Sequence, residues 1–137
     1  MAATIPAPLQ DKVAIVTGGS RGIGAGIAKV FAQHGCTHIA ITYMSNRDAA
    51  NETLEAIRDI NSSIKTCAIA ADVRDVDCGK KVVDQALKDL ETDHIDVVVS
   101  NAALLNIQDW PPVENLDYKT WNDIVSKAKR TRDYDRR

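Results

Sequence analysis

A cluster of glycines near the start of the chain joins a short apolar segment to a helical pattern. The apolar segment is Val13–Val16, and residues 17–24 read TGGSRGIG. Helical spacing of apolar side chains then continues as far as Gly35, a residue type suited to the left-handed position that ends many helices. A buried strand that turns through glycines directly into a helix is typical of a parallel βαβ unit, and few other folds accommodate it.

The same alternation of apolar segment and helical pattern repeats along the chain. Further strands are predicted at residues 39–43, 66–70 and 95–99, with helices between them. The apolar positions that mark the three helices are Ile23, Ile27, Val30 and Phe31; Ala50, Leu54 and Ile57 within residues 46–60; and Val83, Ala86, Leu87 and Leu90. Apolar strands that alternate with helices predict a parallel sheet covered on both faces. The expected fold is α/β, a doubly wound Rossmann-type parallel sheet, incomplete at about four strands in the order 3-2-1-4.

The pattern changes beyond the fourth predicted strand. A loop contains Trp110, and one more amphipathic helix is indicated by Trp121, Ile124, Val125 and Ala128. Residues 127–137 then contain six basic and two acidic residues in eleven. Such a segment cannot supply a core strand, and it is either a solvated end or a binding segment for an acidic partner. We expect a half-domain over residues 1–125 and a divergent charged tail over residues 126–137.

Bulk composition narrows the range of partners. The chain is 45% hydrophobic and 26% charged with a net charge of -2, which favours neither a nucleic acid nor a membrane surface as partner. The N-terminal residues lack the basic and apolar regions of a secretory signal. The three cysteines, Cys36, Cys67 and Cys78, lie in or beside apolar segments, as expected of reduced structural thiols. The sequence therefore predicts a cytoplasmic protein.

Small or polar residues follow three of the predicted strands. The glycine segment follows the first strand, Asp72 and Val73 follow the third, and Ser100 begins the segment SNAA after the fourth. Carboxyl ends of parallel strands meet at one edge of a sheet, where open α/β folds bind their ligands. At that edge the backbone N–H groups and the dipole of the first helix are suited to receive a pyrophosphate.

The spacing Thr-Gly-x-x-x-Gly-x-Gly, together with the segments after the third and fourth strands, resembles the short-chain dehydrogenase/reductase family. Ser100 and Ala103 depart from the family's usual Asn and Gly, although both are small. The resemblance implies an oxidoreductase that transfers hydride between a nicotinamide cofactor and a small carbonyl or alcohol substrate. Contacts are expected to the pyrophosphate from Gly18, Ser20, Arg21, Gly22, Ile23 and Gly24; to adenine from Asp72 and Val73; and to the nicotinamide ribose from Asn101, Ala102 and Ala103.

The end of the second strand bears on the choice between NAD and NADP. An acidic residue there would bond the ribose 2′-hydroxyl of NAD and repel a 2′-phosphate. Tyr43 stands at this place, followed by Ser45, Asn46 and Arg47, with Arg21 in the glycine segment. Hydroxyl, amide and guanidinium donors suit a phosphate dianion, so NADP(H) is the expected cofactor. The alternative is that both arginines are ordinary surface residues.

The family's catalytic Tyr-x-x-x-Lys is missing from this sequence. Tyr43 is followed at that spacing by Arg47, and Tyr118 by Asn122. We therefore expect no catalytic residue in these 137 residues and a fragment inactive alone. His34 and His38 are not expected to form a metal site. A helix that ends at Gly35 would separate them, and no Cys or carboxylate completes a set of ligands. A silent NADP-binding or interaction module and an unstable truncated product remain open alternatives, and homo-oligomers are expected only of the complete family member.

Overall fold

The structure is a computed structural model, and it describes residues 7–103, 117–119 and 121–122. Within them the order of elements is β1 (Val13–Val16), α1 (Gly22–Gln33), β2 (His38–Tyr43), α2 (Arg47–Ile60), β3 (Lys65–Ala70), α3 (Cys78–Asp89) and β4 (Val97–Val99). The four strands form one sheet in the order β3-β2-β1-β4, and every neighbouring pair is parallel. The predicted α/β fold and strand order are confirmed. The charged tail lies outside the described residues, and of the last predicted helix only residues 118–119 and 121–122 are described, as helical.

Strand β1 lies inside the sheet and is buried along its whole length. It pairs with β2 on one side, where Val16 is opposite Ile41, and with β4 on the other, where Val16 is opposite Val99. A strand buried on both faces is expected to be apolar throughout, as the VAIV sequence of β1 is. The carboxyl end of β1 therefore lies between the ends of its two neighbours.

Helices cover the two faces of the sheet unequally. Helices α1 and α2 pack on one face, against a buried cluster that includes Val16, Ile39 and Ile41. Helix α3 packs on the other face, where Val82, Ala86 and Leu90 meet a second cluster. Strands β1, β2 and β3 contribute alternate side chains to the two clusters, as the pleat of a strand requires, whereas Val97 and Val99 of β4 pack against the first cluster.

The buried face of α1 differs from the one that its large apolar residues indicate. Ile23 is 77% exposed and Val30 is 46% exposed, whereas the buried positions are the small residues Gly24, Ala25, Ala28 and Ala32. Ile27 and Phe31 lie at the margin and pack partly against the core. Small residues allow the helix axis to approach the sheet closely, and this close approach displaced the larger side chains from the interface.

Helix α1 ends at Gln33, and Gly35 takes the predicted left-handed position just beyond it, with a φ of +95°. The N–H of Cys36 donates to the carbonyl of Phe31 at 3.1 Å, and the N–H of Gly35 donates to the carbonyl of Ala32 at 3.4 Å. These two bonds form a Schellman motif, which needs a left-handed residue at the glycine position. His34 is thereby separated from His38, which begins β2.

Strand β4 is shorter than predicted and forms one edge of the described sheet. It spans Val97–Val99 rather than residues 95–99, while Ile95 packs beside the cluster under α3. The side chain of Val98 is 60% exposed. The described part of the chain thus leaves an apolar edge strand partly open.

The three cysteines are unpaired, and two of them are buried. Burial raises the pKa of Cys67 to about 12, so its thiol stays protonated at neutral pH. Burial likewise raises the pKa of Cys36 and of Cys78. This environment suits inert structural thiols. Among the residues that the structure describes, no helix is both long enough and apolar enough to cross a membrane.

Candidate functional site

The carboxyl ends of the strands bring the predicted segments to one edge of the sheet. The parallel register places Val16 between Ile41 and Val99, and it places Tyr43 opposite Ala70. The glycine segment, the β2–α2 junction, Asp72 and the segment after β4 all leave the sheet in this direction. The structure therefore brings together the elements that the sequence predicts at the ligand-binding edge.

The hydroxyl of Thr17 connects the ends of β1 and β4. Its Oγ1 donates to the carbonyl of Val99 at 3.2 Å and accepts the backbone N–H groups of Asn101 and Ala102, each at 3.0 Å. A hydroxyl has one proton and two acceptor positions, so these three bonds use all of them. Thr17 is part of the Thr-Gly-x-x-x-Gly-x-Gly motif, but the sequence alone does not show that its hydroxyl connects the two strands.

The side-chain amide of Asn101 reaches back to the glycine segment. Its Nδ2 donates to the carbonyl of Thr17 at 3.0 Å and to the carbonyl of Gly18 at 3.3 Å. Both amide hydrogens are thereby directed at backbone oxygens of the loop after β1. Asn101 therefore holds the loop and the end of β4 in one fixed arrangement.

Two glycines in the first turn of α1 serve different purposes. A Cβ on Gly24 would lie 2.6 Å from Nδ2 of Asn101 and closer still to the carbonyl oxygen of Gly18. That glycine permits close contact between α1 and the ends of the strands. Gly22 has a φ of +54°, and apart from its chain neighbours and its own helix backbone, no heavy atom of the described residues lies within 4 Å of the position that its Cβ would take. The space beside Gly22 is open at the beginning of α1.

The N-terminus of α1 differs sharply from that of α2. Arg21 precedes α1 in an extended conformation, makes no side-chain capping bond, and is followed by no acidic residue in the first turn. Helix α2, by contrast, is capped by Asn46, whose Oδ1 accepts the N–H of Ala49 at 2.9 Å, and it has Asp48 in its first turn. The uncapped N–H groups and positive dipole end of α1 form an environment that favours an anion.

The β2–α2 junction is exposed beside this helix terminus. Tyr43 packs partly against the cluster under α1 and α2, while Ser45, Asn46 and Arg47 are exposed. Arg21 is exposed as well. Because the Oδ1 of Asn46 caps α2, its Nδ2 is the group that remains to donate to a ligand. The end of β2 thus presents donors and no carboxylate.

Asp72 leaves the end of β3 in a compact charged turn. Its carboxylate accepts the backbone N–H of Arg74 at 2.9 Å and three contacts from the guanidinium of the same residue, the shortest of them 2.6 Å from Nη2. Asp72 also lines a cavity of about 220 Å³ between β3 and α3, together with Asp75, Cys78 and Lys81. A bond from Lys81 lowers the pKa of Asp75. The structure therefore places Asp72 at the expected edge, paired with a cation of its own turn.

Two further threonines contact the glycine loop and were not identified from the sequence. The Oγ1 of Thr42 accepts the N–H of Gly18 at 3.1 Å, and the Oγ1 of Thr53 lies 3.2 Å from the carbonyl oxygen of Ser20. Each stands inside an apolar pattern, in β2 and in α2, where a threonine reads as an ordinary element residue. Within the described residues no group of three or more His, Cys, Asp and Glu side chains is placed to hold a metal ion.

A parallel α/β sheet with a glycine loop leading into an uncapped helix at its carboxyl edge defines the Rossmann class of nucleotide-binding units. Comparison with known proteins makes the assignment more specific. The family model described as short chain dehydrogenase matches residues 12–127, and the chain belongs to this family.

Individual relatives agree with this assignment. The chain is 41% identical over 121 residues to the short chain dehydrogenase penD of Penicillium thymicola, covering 88% of this chain and 43% of that protein. It is 34% identical over 123 residues to the hydroxynaphthalene reductase arp2 of Aspergillus fumigatus, covering 90% and 42%. A solved short chain dehydrogenase from Burkholderia cenocepacia, in complex with NADP, is 32% identical with a TM-score of 0.76, covering 89% of this chain and 46% of that one. The chain thus spans less than half the length of these relatives.

Proposed function

We propose that this chain binds NADP(H) at the carboxyl edge of its sheet and forms the cofactor-binding half of an oxidoreductase. The complete protein would transfer hydride between NADP(H) and a small carbonyl or alcohol substrate. The observation that carries the proposal is the N-terminus of α1, which has no side-chain cap and opens beside the glycine loop. A bound pyrophosphate would supply the anion that the helix terminus favours.

The residues of the loop fit a pyrophosphate in shape as well as in charge. Only hydrogen projects from the Cα of Gly22 into the open space at the helix start, so a phosphate oxygen can approach the backbone there. We propose that the N–H groups of the segment from Ser20 to Gly24 bind it, with Gly18 shaping the turn before them. Exposed Ile23 would lie against the cofactor. NADPH, when bound, supplies the hydride.

The β2–α2 junction supports NADP rather than NAD as the cofactor. No carboxylate stands at residues 43–47, where one would repel a 2′-phosphate, and Arg47 is exposed with Arg21 as a second guanidinium. We propose that Tyr43, Ser45, Asn46 and Arg47 surround the 2′-phosphate. Two similar solved structures support NADP, because the Burkholderia dehydrogenase is in complex with NADP and a blue fluorescent protein from a metagenomic library is in complex with NADPH.

The segments after β3 and β4 lie where the adenine and the nicotinamide ribose of the cofactor would bind. We propose that Asp72 and Val73 contact adenine and that Asn101, Ala102 and Ala103 border the nicotinamide ribose. Because both amide hydrogens of Asn101 bond the loop, a ribose hydroxyl would be met by its Oδ1 or by the backbone. Asn101 would then support the loop and border the ligand at the same time.

We propose further that these residues bind the cofactor without turning it over. The 137 residues contain no Tyr-x-x-x-Lys, so no phenol with a neighbouring ammonium is present to exchange a proton with a carbonyl oxygen. A silent binding module and the cofactor half of a longer enzyme make the same prediction for this chain alone. The three unpaired cysteines support a reducing compartment, and we propose the cytoplasm.

Titration calorimetry of the purified chain with NADP⁺ and with NAD⁺ tests the proposal. We expect NADP⁺ to bind at least about tenfold more tightly, since a charge-assisted bond to the 2′-phosphate contributes about 1.5–3 kcal/mol. Arg47→Ala should remove most of this preference. Arg58→Ala is the matched control, because Arg58 lies in the last turn of the same helix and contacts Thr66 instead. Equal or tighter binding of NAD⁺ would contradict the assignment, and turnover of NADPH with carbonyl substrates would contradict inactivity.

A further inference from the structure

Two polar side chains are buried in the described part of the chain, and both belong to threonines. Thr42 is 2% exposed and Thr53 is 4% exposed, whereas the other buried side chains of the core are apolar. A buried hydroxyl without a partner costs free energy, so such groups are found where they make a specific bond. Both of these hydroxyls make a bond to the glycine loop.

Thr42 reaches the loop from the last residues of β2. Its Oγ1 accepts the N–H of Gly18 at 3.1 Å, and its backbone carbonyl accepts the N–H of Gly19 at 2.9 Å. Ile41 faces α1 and α2, so the alternation of the strand turns Thr42 toward the face on which α3 packs. Thr42 therefore fixes two successive N–H groups of the loop.

Thr53 reaches the loop from the middle of α2, on the opposite face of the sheet. Its Oγ1 lies 3.2 Å from the carbonyl oxygen of Ser20 and 3.2 Å from that of Ala49, one helical turn earlier. Both of these groups are acceptors, so the hydroxyl acts as a donor toward them. The loop is therefore held at Gly18 from one face and at Ser20 from the other.

We propose that Thr42 and Thr53 are positioning residues that hold the glycine loop in the shape that binds the cofactor pyrophosphate. This inference rests on the proposed binding of NADP(H). Neither threonine touches the space beside Gly22. Each acts through a backbone group of residues 18–20, whose placement determines where the first N–H groups of α1 point. The same β2–α2 unit carries the residues 43–47, so the regions for the pyrophosphate and for the 2′-phosphate are joined by hydrogen bonds.

A purely structural role would give a different pattern of effects. If the threonines only filled space, valine would replace each of them with nearly the same shape and without a selective loss of binding. If they only stabilised the fold, their loss would weaken the binding of every ligand by the same factor, whichever part of the cofactor it carries. A probe that carries the 2′-phosphate but no pyrophosphate separates these cases, and adenosine 2′-monophosphate is such a probe.

The experiment measures the affinity of the full chain for NADP⁺ and for adenosine 2′-monophosphate by titration calorimetry. Thr42→Val and Thr53→Val should each lower the affinity for NADP⁺ about five- to tenfold, as expected from the loss of one buried hydrogen bond. Both should leave the affinity for adenosine 2′-monophosphate within about twofold. Thr42→Ser and Thr53→Ser keep the hydroxyl and should restore NADP⁺ binding. The matched control is Thr66→Val, because Thr66 lies in β3 with its hydroxyl against Arg58.

Each result decides a definite point. Unchanged NADP⁺ affinity in both valine variants, or an equal loss for both ligands, would overturn the positioning role while leaving the proposed function intact. Failure of the serine variants to restore binding would overturn it as well. No binding of NADP⁺ by the unaltered chain would overturn the proposed function, and this inference with it. Thermal unfolding of each valine variant, with a single transition retained, shows that the altered chain is folded.

Discussion

Strands β1 and β4 are joined at both of their ends, and the two junctions use different chemistry. At the carboxyl ends the connecting groups are neutral: the hydroxyl of Thr17 and the amide of Asn101 bond only backbone atoms. At the amino ends they are charged. The carboxylate of Asp96 accepts the N–H of Val13 at 2.8 Å, with the ammonium of Lys12 at 3.4 Å and the imidazole of His94 also at 3.4 Å.

Because of this difference, the carboxyl junction is better suited than the amino junction to bind an anionic ligand. At the amino ends, the carboxylate of Asp96 lies beside Lys12 and His94, and Lys65 forms a further ion pair with Glu91 at the amino end of β3. At the carboxyl ends of β1 and β4, neutral groups complete the backbone bonds, and the first turn of α1 contains no acidic residue. A negatively charged side chain at that place would compete with a phosphate, whereas a hydroxyl or an amide supports the loop without doing so.

The largest effect that would break the carboxyl junction is expected from Gly24→Ala. The new methyl group would overlap the carbonyl of Gly18 and the amide of Asn101, neither of which can move without breaking the junction. We expect a loss of about 3 kcal/mol in the free energy of unfolding, measured by urea denaturation. Gly26→Ala is the matched control in the same helix, since in the described part of the chain nothing beyond the local helix backbone lies within 4 Å of its Cβ position. It should gain about 0.5–1 kcal/mol, and similar losses in both variants would contradict the packing argument.

A smaller effect on the same junction is expected from Asn101→Asp. The carboxylate has nearly the shape of the amide, but it cannot donate to the carbonyls of Thr17 and Gly18 and would face them as a negative charge. We expect a loss of about 2 kcal/mol in the free energy of unfolding at neutral pH. Binding of NADP⁺ should also weaken because the added charge lies next to the loop. Unaltered denaturation curves would show that the two amide bonds contribute little.

At the amino junction, Asp96→Asn should lower the stability of the fold by a smaller amount, and this loss should depend on pH. The bond from the N–H of Val13 lowers the pKa of Asp96, so its contribution is present at neutral pH and is lost as pH falls through that lowered pKa. The variant should have a lower urea midpoint at neutral pH, and the difference from the unaltered protein should disappear in strong acid. A difference that persists there would contradict the role of the charge.

The smallest effect is expected at His94, with the opposite dependence on pH. Its bond to Asp93 raises the pKa of His94, so the contribution to stability is present at acidic pH and is lost as pH rises through the raised pKa. His94→Gln should therefore be slightly less stable than the unaltered protein near pH 5 and equal to it near pH 8. An NMR titration should show that Asp93→Asn returns the pKa of His94 toward its ordinary value.

Much of the fold could be predicted from the sequence because its signals are local. Apolar segments such as Val13–Val16, the alternation of strands with helices, and Gly35 each act within a few residues. The face of α1 could not be predicted in the same way. Large apolar residues such as Ile23 normally indicate the buried side, but here the close approach to the sheet selected the alanines instead. Only the packed structure shows which helix surface is small enough.

The edge that carries the candidate site was predictable, but the bonds that shape it were not. Asp72 and Asn101 follow strands at positions that a reader of the sequence can locate. The bonds of Asn101 to the loop carbonyls depend on three-dimensional distances that no spacing reveals. Thr42 and Thr53 were missed for a related reason, since threonine is common in strands and tolerated in helices. Burial distinguishes them, and burial becomes known only from the fold.

The bonds that complete the glycine loop differ greatly in how far apart along the chain their partners lie. Thr42 and Gly18 are separated by 24 residues, whereas Asn101 and Thr17 are separated by 84. Closing the longer loop carries a larger entropic cost, and contacts of high sequence separation slow folding. We therefore expect the loop to be held first by β2 and α2, and to reach its final shape only when β4 joins the sheet. The pairing of β4 with β1 would then limit the rate at which the nucleotide-binding site forms. During refolding, cofactor binding should therefore appear at the same rate as the formation of this strand pair.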